Sequence, residues 1–298
     1  MNSYSNMVIA QLNGGVGNQL FQYANGRAIA YRTHAGLGVD TSILMRNYSR
    51  PYKLCYFSIS ADTDAAEQLN NVKGSGQTSI SAIMDSILQC LKPYYRRKIY
   101  RERSQRYDPN ILRIMPPVYL VGYWQSEKYF KDIEGIIRGE FKLKQPPNPI
   151  NSEMLGQIRA VTSVSVHIRR GDFVTNPTIN KIHGVCSLDY YHNAIQIMAG
   201  KVSNPHFYIF SDDMEWSRSN LRVNYPVTFM SHNGIELDHE DLRLMCHCKH
   251  HVIANSSFSW WGAWLSESTN KIVIAPNRWF DDPSRDSRDI VPEGWLRI

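Results

Sequence analysis

Beyond residue 150 the chain alternates short apolar runs with helical segments, and this rhythm limits the fold more than any other feature of the sequence. SVSVHI, HFYIFS, VTFM, HVIANS and KIVIAP have the length and the β-branched or aromatic content of strands. Between them, SLDYYHNAIQIMAG, MEWSRSNL, HEDLRLMCHCK and SSFSWWGAWLS have the apolar spacing of helices. Strands separated by helices predict an α/β fold with a parallel, doubly wound sheet. In such sheets ligands bind beyond the carboxyl ends of the strands.

The amino-terminal half opens in the same way. MVIAQL reads as a buried strand, NGGVGN as a turn, a helix starts near Gln19, and GLGVD supplies a second strand. Further on, VYLVGYW reads as a strand and SEKYFKDIEGIIRGEF as a helix capped by Ser126. Residues 41 to 115 read less regularly, mixing the turn KGSGQT, the apolar helix candidate ISAIMDSILQCL and a basic stretch. QPPNP at 145 to 149 removes backbone donors and blocks helix continuation. It predicts a boundary between two domains, 1–149 and 150–298, which suits a chain of 298 residues.

The run His167-Ile168-Arg169-Arg170-Gly171-Asp172 follows strand SVSVHI. A guanidinium fork holds phosphate through paired, charge-assisted hydrogen bonds. Alternation along the strand sends His167 and Arg169 to one side, so Arg169 is the expected phosphate contact and Arg170 a structural ion pair. Asp172 is the candidate general base by proximity, or else the partner of Arg170.

Ser256-Ser257-Phe258-Ser259 leads from strand HVIANS into a Trp-rich helix. Free backbone donors, hydroxyls and the helix dipole make that an anion site, compatible with simple capping by Ser256 or Ser257. Trp260, Trp261 and Trp264 fall on helical spacing and are read as core. Asp212 and Asp213, after HFYIFS, are read as nucleoside contacts in preference to a helix cap or a metal site, since no further acid stands at ligand spacing. The glycines of Gly14-Gly15-Val16-Gly17-Asn18-Gln19 allow close approach of a ligand, with Asn18 presented to a cleft. A dinucleotide fingerprint would need glycine where Leu20 stands. Cys246-His247-Cys248-Lys249-His250-His251 lacks the spacing of structural zinc and is read as buried packing.

GGVGNQLFQYA, GYWQSEKYF, HIRRGDF, FSDD and ANSSFSWWGAWLS occur in the order found in the bacterial and animal α1,2-fucosyltransferases, which the chain resembles except across roughly residues 40 to 110. The resemblance implies two facing Rossmann-like domains of the GT-B type, the first on the acceptor side and the second binding the nucleotide sugar. It implies GDP-fucose as co-substrate, a galactose-ended glycan as acceptor, inversion at the sugar carbon, and no metal or other cofactor. Residue by residue, it implies Arg169 on the β-phosphate, His167 near the nucleoside and Asp212 or Asp213 on guanine or ribose. The Ser257 to Ser259 turn, with Ser256 and Phe258, would meet the diphosphate. Gly17 and Asn18 would lie near the donor phosphate, and Arg169, Asp172 and Asn18 form the expected catalytic set. Another GDP-sugar donor is the alternative within enzymes, and a basic membrane or nucleic-acid adaptor the alternative outside them.

Between Lys92 and Arg106 the segment KPYYRRKIYRERSQR carries seven basic residues and one acid, equal to the whole chain's net charge of +6. It reads as a solvated helical face or a peripheral contact with an anionic membrane; nucleic acid is not an expected partner. Five cysteines, an odd count in a long chain, point to reduced thiols. With no apolar run near 18 residues and no secretory signal, the expected location is cytoplasmic, at most peripheral at the inner membrane surface.

Overall fold

The computed structural model describes residues 6–46, 50–63 and 88–298. The turn KGSGQT and most of the helix candidate ISAIMDSILQCL lie outside the described residues. The chain divides into two compact units, Met1–Lys144 and Gln145–Ile298.

In the first unit, β1 (Met7–Gln11), β2 (Gly36–Asp40), β3 (Ile99–Arg101) and β4 (Val118–Val121) form a parallel sheet in the order β2-β1-β4-β3. Helix α1 (Val16–Thr33) connects β1 to β2 and buries Leu20, Phe21, Ala24 and Ala28. It starts at Val16, earlier than expected, because Gly14 turns the chain sharply at φ +80°. Gly17 and Asn18 therefore lie in the first helical turn and not in a loop. A short helix, α2 (Ser42–Arg46), follows β2.

Two further expectations are corrected in this unit. SEKYFKDIEGIIRGEF is not one helix but two 3-10 turns, Glu127–Tyr129 and Lys131–Ile133, followed by α3 (Glu134–Glu140). Phe130 breaks the run at φ −140°, and both adjacent rings, Tyr129 and Phe130, reach the core. Ser126 does cap the first turn, accepting from the Lys128 N–H. The basic segment 92–106 is no helical face: it holds a 3-10 turn, Tyr94–Arg96, and the edge strand β3, which buries Tyr100 and exposes Arg101.

The second unit opens with α4 (Pro149–Ala160), capped by Asn148, with Pro149 in its first turn. Its strands are β5 (Thr162–Ile168), β6 (Pro205–Ser211), β7 (Val227–Phe229), β8 (His250–Val252), β9 (Val273–Ala275) and β10 (Leu296–Arg297). Helices α5 (Gly171–Thr175), α6 (Pro177–His183), α7 (Leu188–Lys201), α8 (Met214–Asn220), α9 (Asp238–His247) and α10 (Ser257–Leu265) complete it. On one face of the sheet, Val164, Val166 and Ile168 pack against Tyr191, Ala194, Ile195 and Met198 of α7. On the other, Tyr208 and Phe210 meet Leu155 and Ile158 of α4 and Leu244 and Met245 of α9. Cover on both faces explains why β5 is buried almost throughout.

All six strands are parallel, in the order β10-β9-β8-β5-β6-β7. Numbered from β5, that is 3-2-1-4-5-6, the order of a dinucleotide-binding sheet, with the reversal between β5 and β8. Among the described residues no helix is long and apolar enough to cross a membrane, and none of the five cysteines is in a disulfide.

Candidate active site

In sheets of this order ligands bind beyond the carboxyl ends of the strands at the reversal, here between β5 and β8, and two of the sequence motifs end there. His167 closes β5, only 4% exposed, with no hydrogen-bond partner on Nδ1. Burial, with the Arg169 charge beside it, lowers its pKa to about 3, so the ring is neutral. The His167 ring packs on the ring of Phe258 in the first turn of α10, with centroids 5.3 Å apart.

Arg169 leaves the strand between two acids. Its Nη2 is 2.5 Å from Asp172 Oδ1 and its Nη1 is 2.9 Å from Asp212 Oδ2. Arg170 turns away: its Nε meets Asp213 Oδ2 at 3.1 Å and its guanidinium lies 3.6 Å from the Trp216 ring centroid. The expected ion pair of Arg170 is present, but with Asp213; Asp172 belongs to Arg169. Asp213 also caps α8, accepting from the Trp216 N–H, whereas Asp212 accepts from the Arg170 backbone N–H at 2.8 Å. Gly171 makes this possible, since a Cβ there would lie 2.4 Å from Asp212 Oδ2.

On the β8 side, Ser256 caps α10 by accepting from the Phe258 N–H. Ser259 is fully buried and its hydroxyl donates to the carbonyls of Ala254 and Ser256, so it acts within the helix turn. Ser257 and Phe258 remain half-exposed at the helix start. Trp260, Trp261 and Trp264 are buried against one another, as their spacing predicts. Cys248 is buried and Cys246 half-buried, and among the described residues no cluster of acids, histidines and cysteines could hold a metal ion.

In the first unit the strand order reverses between β1 and β4, placing Asn18 beside Gln125, whose Nε2 donates to Asn18 Oδ1 at 2.8 Å. Gly14 is needed there twice over, for its positive φ and because a Cβ would lie 2.5 Å from Asn18 Nδ2. Gln19 and Gln22 act as ties: Gln19 bonds Gly14, Pro51 and Lys53, and Gln22 bonds Asn13 and Gly122. Sequence reasoning missed Gln125 and these ties, although both recurring blocks GGVGNQLFQYA and GYWQSEKYF contain them.

Of the expected site residues, the second unit thus brings together His167, Arg169, Asp172, Asp212, Asp213, Ser256, Ser257, Phe258 and Ser259. Gly17 and Asn18 stand in the first unit, in the opening turn of α1.

The sheet order, with charged residues gathered at its reversal, is that of the nucleotide-binding α/β class. Within that class the chain belongs to glycosyl transferase family 11, whose family model matches residues 7–298, and it is a glycosyltransferase. It is 34% identical to an alpha-1,2-colitosyltransferase of Escherichia coli, over 98% of this chain and 99% of the relative. A galactoside 2-alpha-L-fucosyltransferase of Bos taurus is 31% identical over 50% of this chain and 42% of its own. Among solved structures, fucosyltransferase NodZ from Bradyrhizobium matches 87% of this chain and 91% of its own at 16% identity, with a TM-score of 0.48.

Proposed function

We propose that the protein is an inverting transferase that moves L-fucose from GDP-fucose to the 2-hydroxyl of a terminal galactose, in an oligosaccharide or a lipid-linked glycan. The observation that carries this reading is the contact at the reversal of the second sheet between His167, which closes β5 two residues before Arg169, and Phe258 in the first turn of α10. A guanidinium and a helix N-terminus at one crevice suit a diphosphate. Family membership and the bovine relative support fucose. The full-length relative favours a second reading, in which the transferred sugar is colitose, which is fucose without its 3-hydroxyl.

In this reading the second unit holds the nucleotide sugar and the first the acceptor. The acceptor oxygen attacks the anomeric carbon, whose bond to the β-phosphate oxygen breaks, and GDP leaves with the electron pair. Arg169 and the positive end of the α10 dipole offset the charge that develops on the diphosphate, so the reading calls for no metal. His167, as a neutral ring, lies beside the nucleoside, with Asp212 or Asp213 on guanine or ribose. Ser256, Ser257 and Phe258 border the phosphate. Asp172 orients Arg169, and the acceptor proton passes to it or to solvent. Exposed Lys92, Arg96 and Arg101, with exposed Leu91, Leu112 and Met115 nearby in sequence, support peripheral contact with an anionic membrane.

The test is acceptor-dependent GDP release in EDTA, with GDP-fucose and GDP-colitose as donors and methyl β-galactoside or lactose as acceptors. Release with either donor sustains the reading and ranks the two sugars. If GDP does not compete for the site better than UDP, the reading fails.

A further inference from the structure

The basic, tyrosine-rich segment after Lys92 forms one wall of a cavity that the reading above does not use. The cavity, about 420 Å³, is lined by Tyr100, Glu102, Arg103, Tyr107, Asp108 and Trp124, among others. That volume falls within the range of small-molecule sites, roughly 300–1,000 Å³. It opens at the carboxyl ends of β3 and β4, the edge on which Gln125 holds Asn18.

Its floor is an ordered stack. Tyr94 lies on Tyr100 at 5.8 Å and 16°, and Tyr100 on Trp124 at 5.5 Å and 11°. Trp124 takes φ +56°, a left-handed conformation that a large side chain rarely adopts. Glu102 holds it there by accepting from the N–H groups of Tyr123 and Trp124 at 2.7 and 3.0 Å. A non-glycine residue fixed in this way is a mark of functional backbone.

The wall is polar but balanced in charge. Asp108 accepts from the hydroxyls of Tyr100 and Tyr94 and from the Asn110 N–H, so its charge is met within the protein. Arg103 is exposed at the mouth with its guanidinium 4.6 Å from the Tyr94 ring centroid. Ser104 is exposed beside it, and half-buried Tyr107 lies 5.0 Å from Tyr129. Two guanidiniums, Arg103 and Arg106, face two carboxylates, Glu102 and Asp108, which disfavours a polyanion such as a diphosphate. Aromatic edges with scattered donors and acceptors match a neutral polyhydroxylated ring, which offers both an apolar C–H face and hydroxyls.

We propose that this cavity binds a sugar residue of the acceptor glycan beyond the galactose that is modified, and so sets which galactose-ended glycan is used. This rests on the transferase reading above. Arg103 and Ser104 hydrogen-bond its hydroxyls, and Tyr107 lies along its ring.

The experiment compares kcat/KM for lacto-N-tetraose, lactose and methyl β-galactoside in the wild type, Arg103→Ala, Tyr107→Ala and Ser104→Trp. The last fills the mouth from an exposed position and keeps the test open should Tyr107→Ala fail to fold. In the wild type the longer acceptors are preferred, and in the variants the ratio of long to short acceptor falls at least tenfold. A structural role would lower all acceptors together and leave the ratio intact, and that result overturns the proposal. A wild type indifferent to acceptor length overturns it as well. A wild type that transfers to none of the three sinks the galactoside reading itself, together with this one.

Discussion

Asp172 Oδ1 lies 2.5 Å from Arg169 Nη2, so the acid of the HIRRGD run is bound to the very guanidinium proposed to hold the donor phosphate. The pair spans three residues from the end of β5 into the first turn of α5, and each side chain is about one-fifth to one-quarter exposed. A carboxylate so placed orients the guanidinium. Asp172→Asn keeps the shape but removes the charge, and a hydrogen bond to a charged group contributes roughly 1.5–3 kcal/mol. We expect kcat/KM to fall roughly tenfold to a hundredfold, with the form of its pH profile retained. Loss of the profile's acidic limb in the variant would assign Asp172 the role of base instead.

Gly171 gives a sharper test of the same cluster. Its missing Cβ leaves room for Asp212, which bonds both the Arg169 side chain and the Arg170 N–H. In Gly171→Ala the carboxylate must move, and Arg169 with it. GDP affinity should weaken at least tenfold in a calorimetric titration while the melting temperature changes little. Unaltered affinity would mean that Asp212 and Arg169 do not act together on the donor.

His167 links the crevice to the stability of the second unit. Its folded pKa of about 3 lies below the ordinary histidine value of 6.5, so as pH falls the unfolded chain takes up the proton first. Stability contributed by the neutral ring is complete above pH 6.5 and is lost as pH falls toward 3, by at most about 1.4 kcal/mol per pH unit. Buried His251, also held well below its ordinary value by burial, acts in the same direction. Melting temperature should therefore drop from pH 6.5 to 4, and more steeply in the wild type than in His167→Gln. Parallel curves for the two proteins would contradict the assignment.

The second unit was the more legible half because its signals are local. Each strand from β5 to β9 carries its own apolar run, and HIRRGD, FSDD and NSSFS sit at strand ends that pattern alone locates. Strand alternation also separated Arg169 from Arg170. What pattern could not supply was pairing: which acid meets which arginine depends on β5 and β6 lying side by side, and Asp172 and Asp213 were not distinguishable by proximity in sequence. β10, only two residues long, carries no periodicity to read. In the first unit the strand β3 was hidden by its charge, because an edge strand of three residues flanked by arginines resembles a solvated helix face. Gln125 to Asn18 and Gln22 to Gly122 act over about a hundred residues of sequence, a distance that no spacing rule covers.

The central claim is that Arg169 offsets charge on a departing GDP, and single-turnover GDP release with GDP-fucose, GDP-colitose and a galactose-ended acceptor in EDTA tests it most directly. Removing one preorganised donor of this kind typically costs about a hundredfold to a thousandfold in rate. Arg169→Ala should lose that much on whichever donor the wild type uses. Arg170→Ala, which removes only the contacts to Asp213 and Trp216, should lose far less and act mainly on stability. Near-normal release by Arg169→Ala, or an equal loss in both variants, would contradict the account.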